Sequence, residues 1–245
     1  MIRSEPPTSR PPAPAPAELH LWLADPADLP EPAPNDLAPD ERAREERFVR
    51  PHVARDFRRA RFWLRKTLGA YLGCEPREVK FEYGFHGKPE AAGPAPFPIR
   101  FNLSHTGGRV LLGVSNGRIL GVDVESHRTQ LDRSGMARRY FSAAEVAEFE
   151  TFPHDEQIAA FFRGWTRKEA YLKARGSGLA LPLDRFTVPL GAAAPERILE
   201  VADEPGEAAR WRLLDVPAGP LHAAAVVIEE PTAALRYFAD GELIP

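Results

Sequence analysis

The chain has 245 residues, 43% of them hydrophobic, and a formal net charge of −3. That length suits one large domain or two small ones, and so small a charge argues neither for nor against nucleic acid as a partner. The single cysteine, Cys74, excludes an internal disulfide and a cysteine zinc site; with no recognisable signal peptide it points to the cytoplasm, and no apolar run approaches the roughly 20 residues of a membrane span.

Residues 1–18 are rich in proline and alanine and read as a disordered tail, because such a segment buries too little apolar surface to fold. Leu19–Leu23 reads as the first strand and residues 25–39 as a proline-rich loop. Pro39-Asp40 introduces a short charged helix to Phe48, and residues 54–72 form a long helix with Phe57, Ala60, Leu64, Leu68 and Tyr71 as its apolar stripe. Its other side carries Arg55, Arg58, Arg59, Arg61, Arg65 and Lys66, a face either solvated or turned to an anionic ligand. Val79–Tyr83 reads as a strand before the loop Gly84–Pro98.

Phe101–Ser104 and Arg109–Ser115 read as strands, and Asn116-Gly117 predicts a hairpin that delivers the next strand, Arg118–Glu125. Residues 126–141 form a basic loop or short helix. Ser142 and Glu145 make a capping box for the helix to Glu150. A further helix runs from an N-cap at Asp155 to a stop at Gly176, with Ile158, Phe161, Phe162, Trp165 and Leu172 as its stripe. Strand-like runs follow at Leu183–Val188, Arg197–Val201, Ala209–Val216, Leu221–Glu229 and Leu235–Phe238. Trp63 and Trp165 lie among apolar helix positions and are read as core.

Two stretches carry chemistry. In Gly121-Val-Asp-Val-Glu125 the alternation of a strand puts Asp123 and Glu125 on one face, with Cα atoms roughly 7 Å apart. Such a pair either forms a solvated acidic face or holds a hard cation such as Mg²⁺. Glu169 falls on the apolar stripe of its helix, where a carboxylate needs a partner: a cation shared with Asp123 and Glu125, or Lys173 one turn on.

Together these stretches resemble the Sfp-type 4′-phosphopantetheinyl transferases, through Gly121–Glu125, Trp165-Thr-Arg-Lys-Glu-Ala-Tyr-Leu-Lys173, Ser104-His105 and Gly87-Lys88-Pro89 in that family's order and spacing. The resemblance runs from about Leu19 to about Val188. It implies a holo-[acyl-carrier-protein] synthase that transfers the 4′-phosphopantetheine of coenzyme A to a serine of an acyl or peptidyl carrier protein and releases 3′,5′-ADP. Mg²⁺, with Mn²⁺ as a substitute, would be held by Asp123, Glu125 and Glu169. Asp123, Glu169 and Lys173 are the expected catalytic residues. Lys88, Ser104 and His105 are expected on the coenzyme A phosphates, with Arg44, Arg47 and Arg55 near the nucleotide. Glu41, Glu45 and Glu46 interleave the first two of those arginines, a departure from the family pattern. Lys168 either pairs with the phosphates or is solvated. No nucleic-acid or membrane partner is expected, and the protein is expected to act as a monomer.

There is also an internal repeat. Arg61-Phe-Trp-Leu-Arg-Lys66 matches Arg163-Gly-Trp-Thr-Arg-Lys168 at four positions, with an offset of 102 residues. The same shift carries Gly121–Glu125 onto Leu19–Leu23 and Ser142 onto Asp40. An α+β fold of two similar lobes about a pseudo-twofold axis is therefore expected, residues 19–118 and 119–245, each a small antiparallel sheet on a long helix, with one site between them. The alternatives are another Mg²⁺-dependent phosphoryl-transfer or phosphodiester enzyme, or a non-catalytic coenzyme A- or carrier-binding module. A nuclease would show stacking aromatics beside a basic groove, and no phosphate loop of the Gly-x-x-x-x-Gly-Lys type occurs.

Overall fold

The computed structural model describes residues 11–33, 36–84, 87–176, 178–193, 196–230, 234–239 and 242–244. Strand β1 (Glu18–Ala24) leads to helices α1 (Pro39–Glu45) and α2 (Pro51–Leu72), then β2 (Lys80–Tyr83), β3 (Pro89–Ala92), β4 (Ile99–Thr106) and β5 (Arg109–Asn116). Next come β6 (Leu120–Ser126), α3 (Arg133–Tyr140), α4 (Ala143–Thr151) and α5 (Gln157–Arg175). The chain ends in β7 (Phe186–Thr187), β8 (Glu200–Val201), β9 (Trp211–Asp215), β10 (His222–Glu229), β11 (Ala234–Ala239) and β12 (Glu242–Ile244).

Two sheets lie face to face between two helices. The larger has the order β12-β11-β1-β5-β4 and the smaller β6-β10-β9. Alternation on the strands fills the three interfaces separately. Trp22, Val110, Leu112 and Val114 meet Trp63, Leu64, Leu68 and Tyr71 of α2. Leu19, Leu21 and Leu111 meet Val122, Val124 and Val226 between the sheets. Ala225 and Val227 meet Ala170, Tyr171 and Ala174 of α5.

Antiparallel β1-β5-β4 and β6-β10-β9 share one order: the first strand of each half, its last, then its penultimate. Each half also has a two-stranded ribbon, β2-β3 or β7-β8, after its long helix. Within the expected C-terminal lobe, 119–245, β11 crosses back and pairs in parallel with β1.

Three further expectations are corrected. Asn116-Gly117 does not form a β5–β6 hairpin. Both edges of β5 are taken, by β1 and β4, and β6 pairs with β10 in the other sheet. Gly117 takes the left-handed conformation (φ 78°) and its N–H donates to Pro98 O, sending the chain across rather than back. The expected tail of residues 1–18 is only partly tested, residues 1–10 lying outside the described ones. Pro11 and Pro14 are buried, Pro14 O accepts from Asn116 Nδ2, and Glu18 already belongs to β1. Inside the expected loop Gly84–Pro98 lies β3, paired with β2.

The basic side of α2 is largely spent internally. Arg58 and Arg59 pair with Glu31, and Arg61 and Arg65 share the buried Glu41. The capping box at Ser142 forms, with Ser142 N donating to Glu145 Oε2 at 2.7 Å and Glu145 N to Ser142 Oγ at 3.3 Å. α5 starts at Gln157 after Glu156 rather than at an Asp155 cap, and stops at Gly176 in the left-handed conformation. Arg167 ties α5 to β9 through a bidentate pair with Asp215 at 2.8 and 2.9 Å.

Candidate active site

The site lies where β6, the edge strand of the smaller sheet, meets α5 on one side and the polar face of β4 on the other. Gly121 permits this. A Cβ there would stand 2.1 Å from Ala170 O and 2.3 Å from Ala174 N, so any side chain would push α5 off the strand. Across that contact Lys173 Nζ reaches Asp123 Oδ1 at 2.6 Å.

Asp123 is buried. Its Oδ1 also accepts from Ser104 Oγ at 2.9 Å, while its Oδ2 is buried without a hydrogen-bond partner. Leaving such an oxygen unpaired is costly, which marks it as an atom awaiting a ligand. Glu125 and Glu169 face the same seam. Burial first, and then the nearby Asp123 charge, raise both carboxyls above the ordinary carboxylate range. Glu125 is further engaged by Arg128 at 3.2 Å and Thr106 Oγ1 at 3.4 Å. Three carboxylates thus lie close enough to act on one another's charge, with Lys173 paired to Asp123. Hard carboxylate oxygens and an orphaned buried one fit Mg²⁺ in kind. Among the described residues no group of three His, Cys, Asp or Glu side chains stands close enough to hold a metal ion as arranged.

A cavity of about 320 Å³ opens beside these residues, walled by Lys88, Asn102, Leu103, Glu169, Leu172 and Lys173 with Gly176 and Gly178. Lys88 donates to Leu120 O at 2.9 Å and Lys173 O at 2.7 Å, tying the start of β6 to the end of α5. Burial brings its ammonium pKa down to about 8. His105, on the opposite face of β4 from Ser104, is exposed at its edge. The protein packed around it, then the charges of Lys173, Arg44 and Arg61, hold its pKa below the usual histidine value. Such a ring among cations suits an anion.

The expected set is therefore only partly gathered. Asp123, Glu125, Glu169, Lys173, Lys88 and Ser104 line one seam, and Arg44 is near enough to act on His105. Arg47 and Arg55 are exposed and make no ion pair among the described residues. Lys168 is neither on the phosphate side nor solvated. It is fully buried, donating to Glu145 at 2.7 Å, Leu183 O at 2.7 Å and Phe186 O at 2.6 Å. Successive residues on a helix point about 100° apart, so Glu169 toward the seam puts Lys168 into the core. Ser104 Oγ uses its one proton on Asp123 and accepts from Lys173 at 2.9 Å and Val124 N at 3.4 Å, leaving its hydroxyl no donor for coenzyme A. Asn102 and Thr106 escaped the sequence reading. The signal was present in Asn102-x-Ser104-x-Thr106, polar residues at strand spacing opposite Phe101, Leu103 and His105.

A sequence profile of the 4′-phosphopantetheinyl transferase superfamily matches residues 119–226. The 4′-phosphopantetheinyl transferase HetI of a Nostoc species is 38% identical over 204 residues, covering 81% of this chain and 82% of that protein. The 4′-phosphopantetheinyl transferase Sfp of Bacillus subtilis is 29% identical over 154 residues, 63% of this chain and 66% of its own. A solved structure, the holo-[acyl-carrier-protein] synthase of Thermotoga maritima, matches 46% of this chain and 64% of its own at 21% identity, with a TM-score of 0.37, too slight a likeness to bear on the fold. With the acidic strand and the Glu–Lys helix turned toward each other across the seam, the chain belongs to the 4′-phosphopantetheinyl transferase family.

Proposed function

We propose that the chain transfers the 4′-phosphopantetheine group of coenzyme A to a serine hydroxyl of an apo carrier protein, Mg²⁺-dependently, releasing 3′,5′-ADP. The observation that carries this reading is Asp123, buried and held by Ser104 and Lys173, with one carboxylate oxygen left unpaired. It stands in a chain related over most of its length to a named transferase of that kind.

Asp123, Glu125 and Glu169 would hold the Mg²⁺. Bound there, it would supply electrostatic stabilisation to the pyrophosphate oxygens of coenzyme A. Lys173 Nζ, beside Asp123, supplies a fixed positive charge to the same oxygens. Glu169, on the same seam, is the carboxylate we assign to the serine proton. His105, with Arg44 and Arg61 nearby, suits the 3′-phosphate. Lys88 closes the end of the cavity.

The carriers would be those of fatty-acid, polyketide or nonribosomal-peptide assembly, met by the monomer in the cytoplasm. The basic and apolar stretch Ser126–Phe141, which continues directly from β6, would form the docking face. The shared order of β1-β5-β4 and β6-β10-β9 supports two lobes, residues 19–118 and 119–245 with β11 returned to the first sheet, descended from one unit and related by a pseudo-twofold axis.

The test is incubation with coenzyme A, Mg²⁺ and a panel of apo carrier domains, read by intact mass. A gain of one phosphopantetheine on at least one carrier is expected. No gain on any carrier, with coenzyme A intact, would overturn the reading.

A further inference from the structure

In the sheet order β6-β10-β9, only one edge of β6 is paired to a strand among the described residues. Its other edge presents the amides of Val122, Val124 and Ser126, which need partners when buried. They find them in side chains of β4. Val122 N donates to Asn102 Oδ1 at 2.8 Å, Val124 N to Ser104 Oγ at 3.4 Å, and Ser126 N to Thr106 Oγ1 at 3.3 Å. Each rung joins residues 20 apart in sequence, so the two strands run in step. The same hydroxyls then reach the carboxylates on those rungs. Ser104 Oγ donates to Asp123 Oδ1 at 2.9 Å and Thr106 Oγ1 to Glu125 Oε2 at 3.4 Å.

The two sets of bonds do different work. The amide rungs fix the register, and a slip of one residue would turn both carboxylates to the opposite face of β6. The hydroxyl bonds each occupy one carboxylate oxygen and orient the other. At Asp123 that other oxygen is the buried, unpartnered Oδ2.

We propose that the Asn102–Ser104–Thr106 face of β4 is the device that positions the carboxylate pair, with Ser104 and Thr106 as positioning residues for a divalent cation on Asp123 and Glu125. This inference rests on the reading above that these carboxylates hold such a cation. It moves Ser104 from the coenzyme A contacts to the support of the acidic strand and gives Thr106 a role.

The experiment measures Mn²⁺ binding by electron paramagnetic resonance on the full chain, without coenzyme A, for the unsubstituted protein and for Ser104→Ala, Thr106→Val and Thr106→Ser. Circular dichroism checks that each variant is folded. Loss of a partner one step removed from a metal typically weakens affinity about 10–100-fold, and that is the loss expected for Ser104→Ala and Thr106→Val. Thr106→Ser, which keeps the hydroxyl, should bind as the unsubstituted chain does. A merely structural role would lower the melting temperature of Thr106→Val and leave its Mn²⁺ affinity alone. Unchanged affinity in folded Ser104→Ala and Thr106→Val overturns the inference while leaving the proposed activity standing. No Mn²⁺ binding by the unsubstituted protein overturns the inference together with its premise that these carboxylates hold the cation on their own, while transfer to a carrier is judged by the mass assay.

Discussion

Lys168 Nζ lies 2.7 Å from Glu145 Oε2, and neither side chain reaches solvent. All three ammonium protons are used, two of them on the carbonyls of Leu183 and Phe186. Glu145 is equally occupied, accepting from Val188 N and Ser142 N at 2.7 Å each. A pair this complete locks α4, α5 and the β7 segment together, whatever its net worth against an apolar core. Removing one partner is another matter. Lys168→Met is expected to cost about 3–5 kcal/mol, because the Glu145 charge is left buried and unpaired. Urea denaturation checks this; a cost below about 1 kcal/mol would place the pair among ordinary surface bridges.

Asp123→Ala is expected to abolish Mg²⁺-dependent transfer and leave the melting temperature close to that of the parent. Lys173 keeps its bond to Ser104 and is partly exposed, so its ammonium is not stranded. Circular dichroism and a mass assay with coenzyme A and carrier separate the two effects. Activity near that of the parent would remove Asp123 from the metal set.

Glu125 and Glu169 set a pH dependence. Both have folded-state pKa values raised above 4.5, by burial and then by Asp123. A raised carboxyl binds its proton more tightly in the folded state, so its contribution is present below the unfolded pKa and lost as pH rises through the folded one. In chelator, the protein should therefore lose stability from this pair as pH rises from about 4.5 toward neutrality. Glu169→Gln should shrink the loss, and Mg²⁺ should oppose it. Denaturation midpoints across that range provide the check, and an identical slope in Glu169→Gln would count against the assignment.

The proposed docking face gives a salt-dependent prediction. Arg138 is exposed and pairs with Glu150 at 3.1 Å, Arg139 lies over the Tyr140 ring, and Met136 is half-buried beside them. Exposed pairs of this kind contribute little to stability, so both arginines can be reversed to Glu without unfolding α3. The KM for an acidic carrier should rise, most at low ionic strength, where charges act over the longest range. The KM for coenzyme A should hold. A carrier KM unmoved at low salt would put the docking surface elsewhere.

The local elements were legible because their signals are local. The stripe from Phe161 to Leu172, the capping box at Ser142 and the alternation of Gly121–Glu125 depend only on period and on one or two polar side chains. The partner of β6 was not legible. Asn116-Gly117 is a strong turn signal, yet a turn states only that the chain reverses, and the edges of β5 were claimed by β1 and β4. Lys168 was misplaced for a related reason. A lysine reads as polar in any pattern, and only the long-range arrival of Glu145, Leu183 and Phe186 converts that position to core. The rungs from β4 to β6 show the same limit, since the pattern at Asn102, Ser104 and Thr106 does not say which backbone it will meet.

The parallel pairing of β11 with β1 has a consequence in time. As the chain leaves the ribosome, β1 can join β5 once about half of the protein has emerged. Its other edge stays bare until β11, Ala234–Ala239, is free. Contacts so distant in sequence form slowly, and an unpaired strand edge invites the wrong neighbour while it waits. The newborn protein is therefore most open to sticky encounters in the interval between pairing β1 with β5 and receiving β11.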